Sequence, residues 1–170
     1  MLTWTLLLAL ALPATTPETP PDATVVVVVR HAEKATDDPR DPTLTQAGTA
    51  RAHALARRLE GAGLDAAYAT QYRRTQLTAA PAAAQAGIKI QVRPVDAANA
   101  ASYGPALARD LRALPPGSTV LVVGHSNTVP AIVAAISGQR AADMPETQYD
   151  LYTVIVLDAN GEGRVFSSTY

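Results

Sequence analysis

Two histidines, each directly after a short apolar run, are the residues of this chain best suited to chemistry. His31 follows Arg30 at the end of the stretch VVVVVRH, and His125 ends the run TVLVVGH. An imidazole can act as a nucleophile, as an acid or base, or as a metal ligand. Arg30 favours an anionic ligand, because a guanidinium presents a planar fork of donors that fits phosphate oxygens.

The sequence predicts neither a metal site nor a cofactor. Zinc sites usually show a close pair such as H-x-x-x-H with a third ligand, and His31 has an arginine rather than a histidine beside it. The chain contains no cysteine. This excludes thiol catalysis, disulfides, thiolate metal sites and a lipidated cysteine.

Composition indicates one globular domain. The chain has 170 residues, of which 48% are hydrophobic and 17% charged, enough for a core of its own. The formal net charge is -1. We therefore expect no nucleic-acid partner, because a general nucleic-acid binder carries a basic surface.

The N-terminus resembles a signal peptide. Its apolar stretch from Leu6 to Leu12 is too short to span a bilayer, which takes about 20 residues. Ala14 is a plausible cleavage point, although no basic residue precedes the stretch; a wrongly chosen start codon or a frayed tail is the alternative. We expect residues 1–22 to be a signal peptide and Pro-rich linker, residues 23–170 the domain, and the mature protein secreted or periplasmic without a stable membrane anchor.

The order of elements predicts how the two histidines are positioned. Each histidine ends a buried strand, and each strand is followed by a loop and a helix. Strand, loop and helix repeated in this way indicate a mostly parallel sheet with helices on both faces, and ligands bind at the carboxyl ends of such strands. Two neighbouring parallel strands would bring His31 and His125 together.

Sequence patterns also place the other elements. Thr45 can cap a helix whose apolar face is Ala52, Leu55, Ala56 and Leu59. The pattern further predicts a strand near Ala66 to Ala69 and a helix from about Arg74 that Pro81 kinks or interrupts. A strand from Ile88 to Val95 and a helix with Pro105 in its first turn should follow. The chain should end with a short helix between Pro130 and Gly138 and a C-terminal hairpin at the antiparallel edge.

Five stretches resemble segments of one protein family and follow one another in the same order as in that family. They are VVVVVRHAEK, LTQAG, ATQYRRTQLTA, VLVVGHSNT and the closing YDLYTVIVLDANGEGRVFSSTY. The first resembles the Arg-His-Gly/Ala-Glu signature of the histidine phosphatase superfamily, which includes the phosphoglycerate mutases. The next three resemble its Leu-Thr-x-x-Gly helix start, its Ser-Pro-x-x-Arg-Ala-x-x-Thr-Ala segment and its second-histidine strand. The last resembles the closing hairpin of small secreted bacterial members. The resemblance covers roughly Thr24 to Tyr170.

This resemblance implies a three-layer α/β/α sandwich of the phosphoglycerate mutase-like fold and a set of site residues. His31 matches the nucleophile that becomes phosphorylated, and Arg30 matches the first phosphate-binding arginine. Aligning Thr70 with the family's Ser places the second arginine at Arg74 rather than Arg73. His125 matches the second histidine of the pocket.

The residues fit this assignment physically. Phosphoryl transfer depends mostly on positioning and electrostatic stabilisation, which Arg30, Arg74 and a protonated His125 would supply without a metal. His31 should be neutral, with its other nitrogen donating to a backbone carbonyl. Ser126 and Asn127 either bind the phosphate or only cap the following helix.

Two carboxyl groups are candidates for the acid that protonates the leaving oxygen. Asp96 falls near the acid of the mutases, which is a Glu there. Glu33, inside the signature itself, is the other candidate, with orientation of an arginine as its alternative role.

The expected activity is hydrolysis of a phosphomonoester, or of phosphohistidine, on a small molecule or a phosphoprotein, through a phosphohistidine intermediate. Mutase activity is not expected, because the chain lacks the long insertions that enclose a sugar phosphate. A binding module that holds phosphate or a phosphorylated ligand without turnover is the alternative, and a metallohydrolase is a third possibility. The sequence does not identify the substrate.

Overall fold

Strands and helices alternate along residues 22–170, the part of the chain that the computed structural model describes. Within it the strands are β1 (Thr24–Arg30), β2 (Leu64–Ala69), β3 (Ile90–Val92), β4 (Thr119–Gly124), β5 (Leu151–Leu157) and β6 (Gly163–Thr169). The helices are α1 (Gln46–Arg58), α2 (Arg73–Ala86), α3 (Ala100–Arg112) and α4 (Val129–Ser137).

The strands form one mixed sheet in the order β3-β2-β4-β1-β5-β6. β1, β2, β3 and β4 run parallel, whereas β5 is antiparallel to β1 and β6 is antiparallel to β5. The two strands that precede the histidines are therefore neighbours in the middle of the sheet. This confirms the predicted fold class, including the antiparallel edge hairpin.

The valines of β1 explain why the sheet needs helices on both faces. Val27 and Val29 pack in a cluster with Leu55 and Ala56 of α1 and with alanines of α2. Val26 and Val28 pack on the opposite side with residues of α3 and α4. Because successive side chains of a strand point to opposite faces, this run of apolar residues is what a strand buried on both faces requires.

Several local predictions are confirmed. The Thr45 side chain caps α1 by accepting a hydrogen bond from the Gly48 N–H, and the predicted apolar face of α1 is buried. Gly138 ends α4 in the left-handed region, with φ of 72°.

Two local predictions are wrong, and a third is wrong in part. Pro81 does not interrupt α2, which continues from Arg73 to Ala86 with the proline inside it, and the carbonyl that would accept from residue 81 belongs to the exposed Leu77. α3 begins at Ala100, so Pro105 lies inside the helix and not in its first turn. β3 has 3 residues, Ile90–Val92, and lies at the sheet edge, where pairing on one side supports only a short strand.

The predicted signal peptide lies outside the described residues, apart from its last position. Among residues 22–170, no helix has the length and apolar character needed to cross a bilayer.

Candidate active site

The carboxyl ends of β1 and β4 bring the two histidines together. Arg30 pairs in register with Gly124, and the His31 N–H donates to the Gly124 carbonyl at 2.9 Å. The ring centroids of His31 and His125 are 5.3 Å apart in an edge-on arrangement. Both residues are buried, with exposed fractions of 4% and 8%.

His31 is held as a neutral imidazole with a defined tautomer. Its Nδ1 lies 2.8 Å from the Ala32 carbonyl oxygen. Because a carbonyl only accepts, Nδ1 carries the proton, and the Nε2 lone pair is left for a substrate. Burial, with smaller contributions from Arg30 and Arg74, lowers the pKa of His31 from 6.5 to about 4. This agrees with the predicted carbonyl contact and neutral ring.

Arg30 is fixed by a distant loop. Its Nη1 donates to the carbonyls of Pro145 at 3.2 Å and Gln148 at 3.3 Å, and also to that of Glu146. The Tyr149 ring lies 4.3 Å from the guanidinium carbon. The buried Nε of Arg30 has no hydrogen-bond partner among residues 22–170. The loop therefore orients the guanidinium and leaves donors for an anion.

Arg74, in the first turn of α2, faces the same cavity as the histidines. The Tyr72 ring lies 4.3 Å from its guanidinium carbon, and its buried Nε has no partner in the described part of the chain. Burial lowers the pKa of Arg74. Arg73 is exposed and its backbone N–H donates to Asp41. The structure thus brings the second of the adjacent arginines to the histidines.

The surroundings of His125 favour its neutral form as long as no anion is present, whereas the predicted protonation beside a phosphoryl group stays a prediction. Burial, followed by the neighbouring His31, Arg74 and Arg30, lowers its pKa from 6.5 to about 3. Its Nε2 lies 2.9 Å from Thr70 Oγ1. A second positive charge is unfavourable in this buried space unless an anion compensates it.

These residues line a cavity of about 420 Å³, larger than one phosphate group needs. Its lining consists of Arg30, His31, Lys34, Tyr72, Arg74, Val95, Asp96, Ala97, Ala100, His125, Ser126, Asn127, Thr128 and Glu146. Ser126 and Asn127 both belong to the wall. The N-cap of α4 is Thr128 rather than either of them.

The two candidate acids lie in different places. Glu33 forms an ion pair with Arg51 at 2.7 Å and is not part of the cavity wall. Its hydrogen bonds from Arg51 lower the pKa of Glu33. Asp96 is on the wall, and its Oδ1 accepts from the N–H groups of Ala98 and Asn99. Orientation of an arginine is the role that fits Glu33.

Sequence reasoning missed three cavity or near-cavity groups: Tyr72, Glu146 and Tyr149. Ser126 Oγ lies 3.3 Å from a carboxylate oxygen of Glu146. The segment 145–149 carries no motif, and its contact with Arg30 spans more than 100 residues, so no local signal predicts it. Tyr72 stands two residues before Arg74, a spacing that could have drawn attention to it.

Gly48 holds the loop after His31 against the start of α1. A Cβ at this position would overlap the Glu33 carbonyl oxygen. That carbonyl accepts from the Thr45 N–H at 2.9 Å. Only glycine allows the helix to approach the loop this closely.

No group of three or more His, Asp or Glu side chains within residues 22–170 is arranged to hold a metal ion. The residues that converge are instead imidazoles and guanidiniums, which together suit a tetrahedral oxyanion.

Comparisons with known proteins agree with this geometry. Residues 26–95 match the family model of the histidine phosphatase superfamily, branch 1. No curated protein sequence matches the chain significantly.

Several solved structures share the fold. The protein histidine phosphatase SixA, complexed with tungstate, is 20% identical with a TM-score of 0.61, covering 85% of this chain and 96% of that one. A mycobacterial glucosyl-3-phosphoglycerate phosphatase is 16% identical with a TM-score of 0.64, covering 87% and 98%. YhfR of Bacillus stearothermophilus is 20% identical with a TM-score of 0.65, covering 84% and 95%.

Proposed function

We propose that this chain, of which residues 26–95 match the family model of the histidine phosphatase superfamily, is a phosphoric monoester hydrolase of that superfamily and works without a metal. It hydrolyses phosphomonoesters, or phosphohistidine, through a phosphohistidine intermediate on His31. The observation that supports this most is that His31, Arg30 and Arg74 line one cavity. Nδ1 of His31 is held by the Ala32 carbonyl, which leaves Nε2 for a substrate, and among the described residues the buried Nε atoms of the two arginines have no partner.

The reaction proceeds in two steps on these residues. The Nε2 lone pair of His31 attacks phosphorus, a P–N bond forms, and the P–O bond to the leaving group breaks with its electron pair on oxygen. Water then attacks phosphorus, the P–N bond breaks with its pair on Nε2, and phosphate leaves. Arg30 and Arg74 stabilise the charge on the equatorial oxygens in both steps.

Asp96 supplies the proton that the leaving oxygen needs, and takes one from water in the second step. Its position on the cavity wall supports this role, whereas the ion pair with Arg51 separates Glu33 from the reacting atoms. Ser126 and Asn127 add donors to the phosphoryl group from the wall formed after β4.

The cavity supports a substrate with a leaving group of its own. At about 420 Å³ it leaves room beside a phosphoryl group. The related structures include a protein histidine phosphatase and a sugar-phosphate phosphatase. Small phosphorylated molecules and phosphoproteins are therefore both substrate candidates.

Phosphoryl labelling tests the proposal. We expect a radioactive phosphoryl donor to label the protein with an acid-labile phosphate, and the His31→Ala variant to lose both labelling and turnover. His53→Ala, which changes an exposed histidine on α1, is the matched control. Absence of labelling with phosphate binding intact would favour the non-catalytic binding module. Loss of activity in a strong chelator would favour a metallohydrolase.

Export of the protein is a proposal from residues 1–22 alone. We propose that the mature chain acts in the periplasm or outside the cell, after cleavage near Ala14. Mass spectrometry of the mature N-terminus tests this, and an intact Met1 in the purified native protein would contradict it.

A further inference from the structure

A buried row of hydroxyl groups connects His125 to a backbone carbonyl. His125 Nε2 lies 2.9 Å from Thr70 Oγ1, which lies 2.9 Å from Thr75 Oγ1. Thr75 Oγ1 lies 2.8 Å from the Tyr72 carbonyl oxygen and 3.2 Å from that of Thr70. Thr70 and Thr75 are both 0% exposed. Solvent therefore does not reach these hydroxyls to complete their hydrogen bonds.

The carbonyl at the end of this row sets the direction of its hydrogen bonds. A carbonyl only accepts, so the Thr75 hydroxyl proton points to Tyr72 O at the shortest distance in the row. The Thr75 oxygen is then an acceptor for the single proton of Thr70. Thr70 has no proton left for His125, so the contact at 2.9 Å requires Nε2–H as its donor.

A neutral imidazole carries one proton, so this row determines which nitrogen of His125 faces a ligand. With the proton on Nε2, Nδ1 keeps its lone pair. Among residues 22–170, the hydrogen bond of the His125 ring is the one at Nε2, and His125 lines the cavity. His31 shows the same arrangement with its nitrogens exchanged, because Nδ1–H donates to Ala32 O and Nε2 keeps the lone pair.

The charges around His125 oppose a second positive charge until an anion arrives. The groups that face or surround it are Arg30 and His31 at the end of β1, Tyr72 and Arg74 at the start of α2, and Lys34, Asp96 and Glu146 on the cavity wall. A lone pair on Nδ1 would repel the oxygen of a phosphate dianion. It would instead attract a phosphate oxygen that carries a proton.

We propose that Thr70 and Thr75 are positioning residues that hold His125 as its Nε2–H tautomer, so that Nδ1 shares the proton that enters the cavity with a phosphoryl group. The proposal rests on the proposed function only in taking the cavity as a phosphoryl site. No bond to phosphorus forms or breaks in it. One proton moves from solvent to the hydrogen bond between Nδ1 and a phosphate oxygen.

The pair of threonines is a feature of this chain. In the family segment that ATQYRRTQLTA resembles, the position of Thr75 is Ala and that of Thr70 is Ser. The family segment therefore has no hydroxyl at the position of Thr75. The inference concerns Thr75 in particular, because its Oγ1 is the acceptor to which the Thr70 hydroxyl donates its only proton.

Nitrogen NMR of the ligand-free protein at pH 7 tests the tautomer directly. We expect a pyrrole-type shift for Nε2 of His125 and a pyridine-type shift for Nδ1. The opposite assignment in the unmodified protein would overturn the proposal, whether or not any variant folds. This result does not depend on turnover, so an inactive protein with the Nε2–H tautomer would contradict the proposed function alone.

Substitution of Thr75 tests the role of the hydroxyl row. Thr75→Val keeps the side-chain shape but removes the acceptor, so the Thr70 proton turns to Nε2 and the His125 proton moves to Nδ1. Thr75→Ser keeps the hydroxyl and is the matched control, with the shifts of the unmodified protein. An unchanged tautomer in a folded Thr75→Val protein would overturn the role of Thr75.

Calorimetry with phenylphosphonate, a phosphoryl compound that cannot be hydrolysed and whose dianion carries no proton, measures the proton itself. Binding is followed above pH 8 in two buffers of different ionisation enthalpy, and we expect uptake of about one proton per phosphonate bound. Thr75→Val should bind the phosphonate with uptake close to zero, because Nδ1 already carries a proton there. Equal uptake by Thr75→Val and Thr75→Ser would overturn the proposal.

Discussion

The two arginines of the cavity are held in opposite ways. Arg30 is almost fully buried, and its Nη1 donates to three carbonyls of residues 145–148 while Tyr149 stacks on it. Arg74 makes no hydrogen bond from its guanidinium to any described residue, and its main neighbour is the Tyr72 ring two residues earlier.

Arg30 is thus both bonded to a distant loop and part of the cavity wall, with its Nε unpartnered among the described residues, whereas the guanidinium of Arg74 faces the cavity alone, although both carry the same charge. Arg30 joins the end of β1 to a loop more than 100 residues away, so its loss should affect both folding and phosphate binding. Arg74 is held locally, so its loss should affect the ligand alone. The two arginines also affect the histidines unequally. Arg30 lowers the pKa of His31 more than Arg74 does, whereas Arg74 lowers the pKa of His125 more than Arg30 does.

The largest expected effect is that of Arg30→Ala. We expect turnover to fall by more than the roughly 10²–10³-fold that loss of one oxyanion donor costs. We also expect unfolding to become easier by about 1–3 kcal/mol, because the loop carbonyls lose their donor. Steady-state kinetics and denaturant unfolding measure the two effects.

Arg30→Lys sharpens this test, because it keeps the charge and loses the fork of donors. Unchanged stability and turnover in the Arg30→Lys variant would show that the loop contacts do not matter.

The second effect is that of Arg74→Ala, which should lower kcat/KM by roughly 10²–10³-fold and leave the unfolding midpoint nearly unchanged. Arg73→Ala is the matched control, because Arg73 is the exposed neighbour on the same helix. If Arg74→Ala destabilised the protein as much as Arg30→Ala does, the contrast between the two arginines would be wrong.

The third effect is a loss of stability in mild acid. The pKa of His31 is about 4 and that of His125 about 3 in the folded protein, below the ordinary value of 6.5. Below about pH 6.5 the two histidines therefore bind protons in the unfolded chain but remain neutral in the folded protein. The free energy of unfolding should fall as pH drops from 6.5 towards 4, by up to about 3 kcal/mol for His31 alone.

Denaturant unfolding between pH 7 and pH 5 measures this slope before the carboxylates contribute. His125→Asn should flatten it, whereas His53→Asn, at an exposed position of α1, should not. Arg74→Ala should reduce the part of this slope that comes from His125 slightly more than Arg30→Ala does, because Arg74 lowers the pKa of His125 more. A slope that is identical in the His125→Asn protein would contradict the buried neutral ring.

Much of the fold follows from the sequence, because the apolar runs of β1 and β4 permit few alternatives. A strand buried on both faces needs helices on both faces, and the loop and helix after each histidine supply them. The errors fall where local rules meet tertiary packing. Pro81 remains inside α2, and α3 starts five residues before Pro105.

The site is predictable where residues stand at the ends of neighbouring strands. His31 and His125 follow that rule, and the structure brings Arg74 to them. The partners of Arg30 in residues 145–149 are not predictable, because they are backbone carbonyls and carry no residue signature. That His125 is protonated beside a bound phosphoryl group stays a prediction, because burial and the neighbouring charges lower its pKa to about 3 only as long as no anion is present.

The close approach at Gly48 has a consequence for any mutational survey of this chain. A larger residue there would push the backbone of Glu33, which lies two positions after His31, the proposed nucleophile. Such a variant would be scored as a catalytic defect although residue 48 touches no reacting atom. Position 48 is thus a place where damage to the scaffold and damage to the chemistry would be hard to separate in an activity screen.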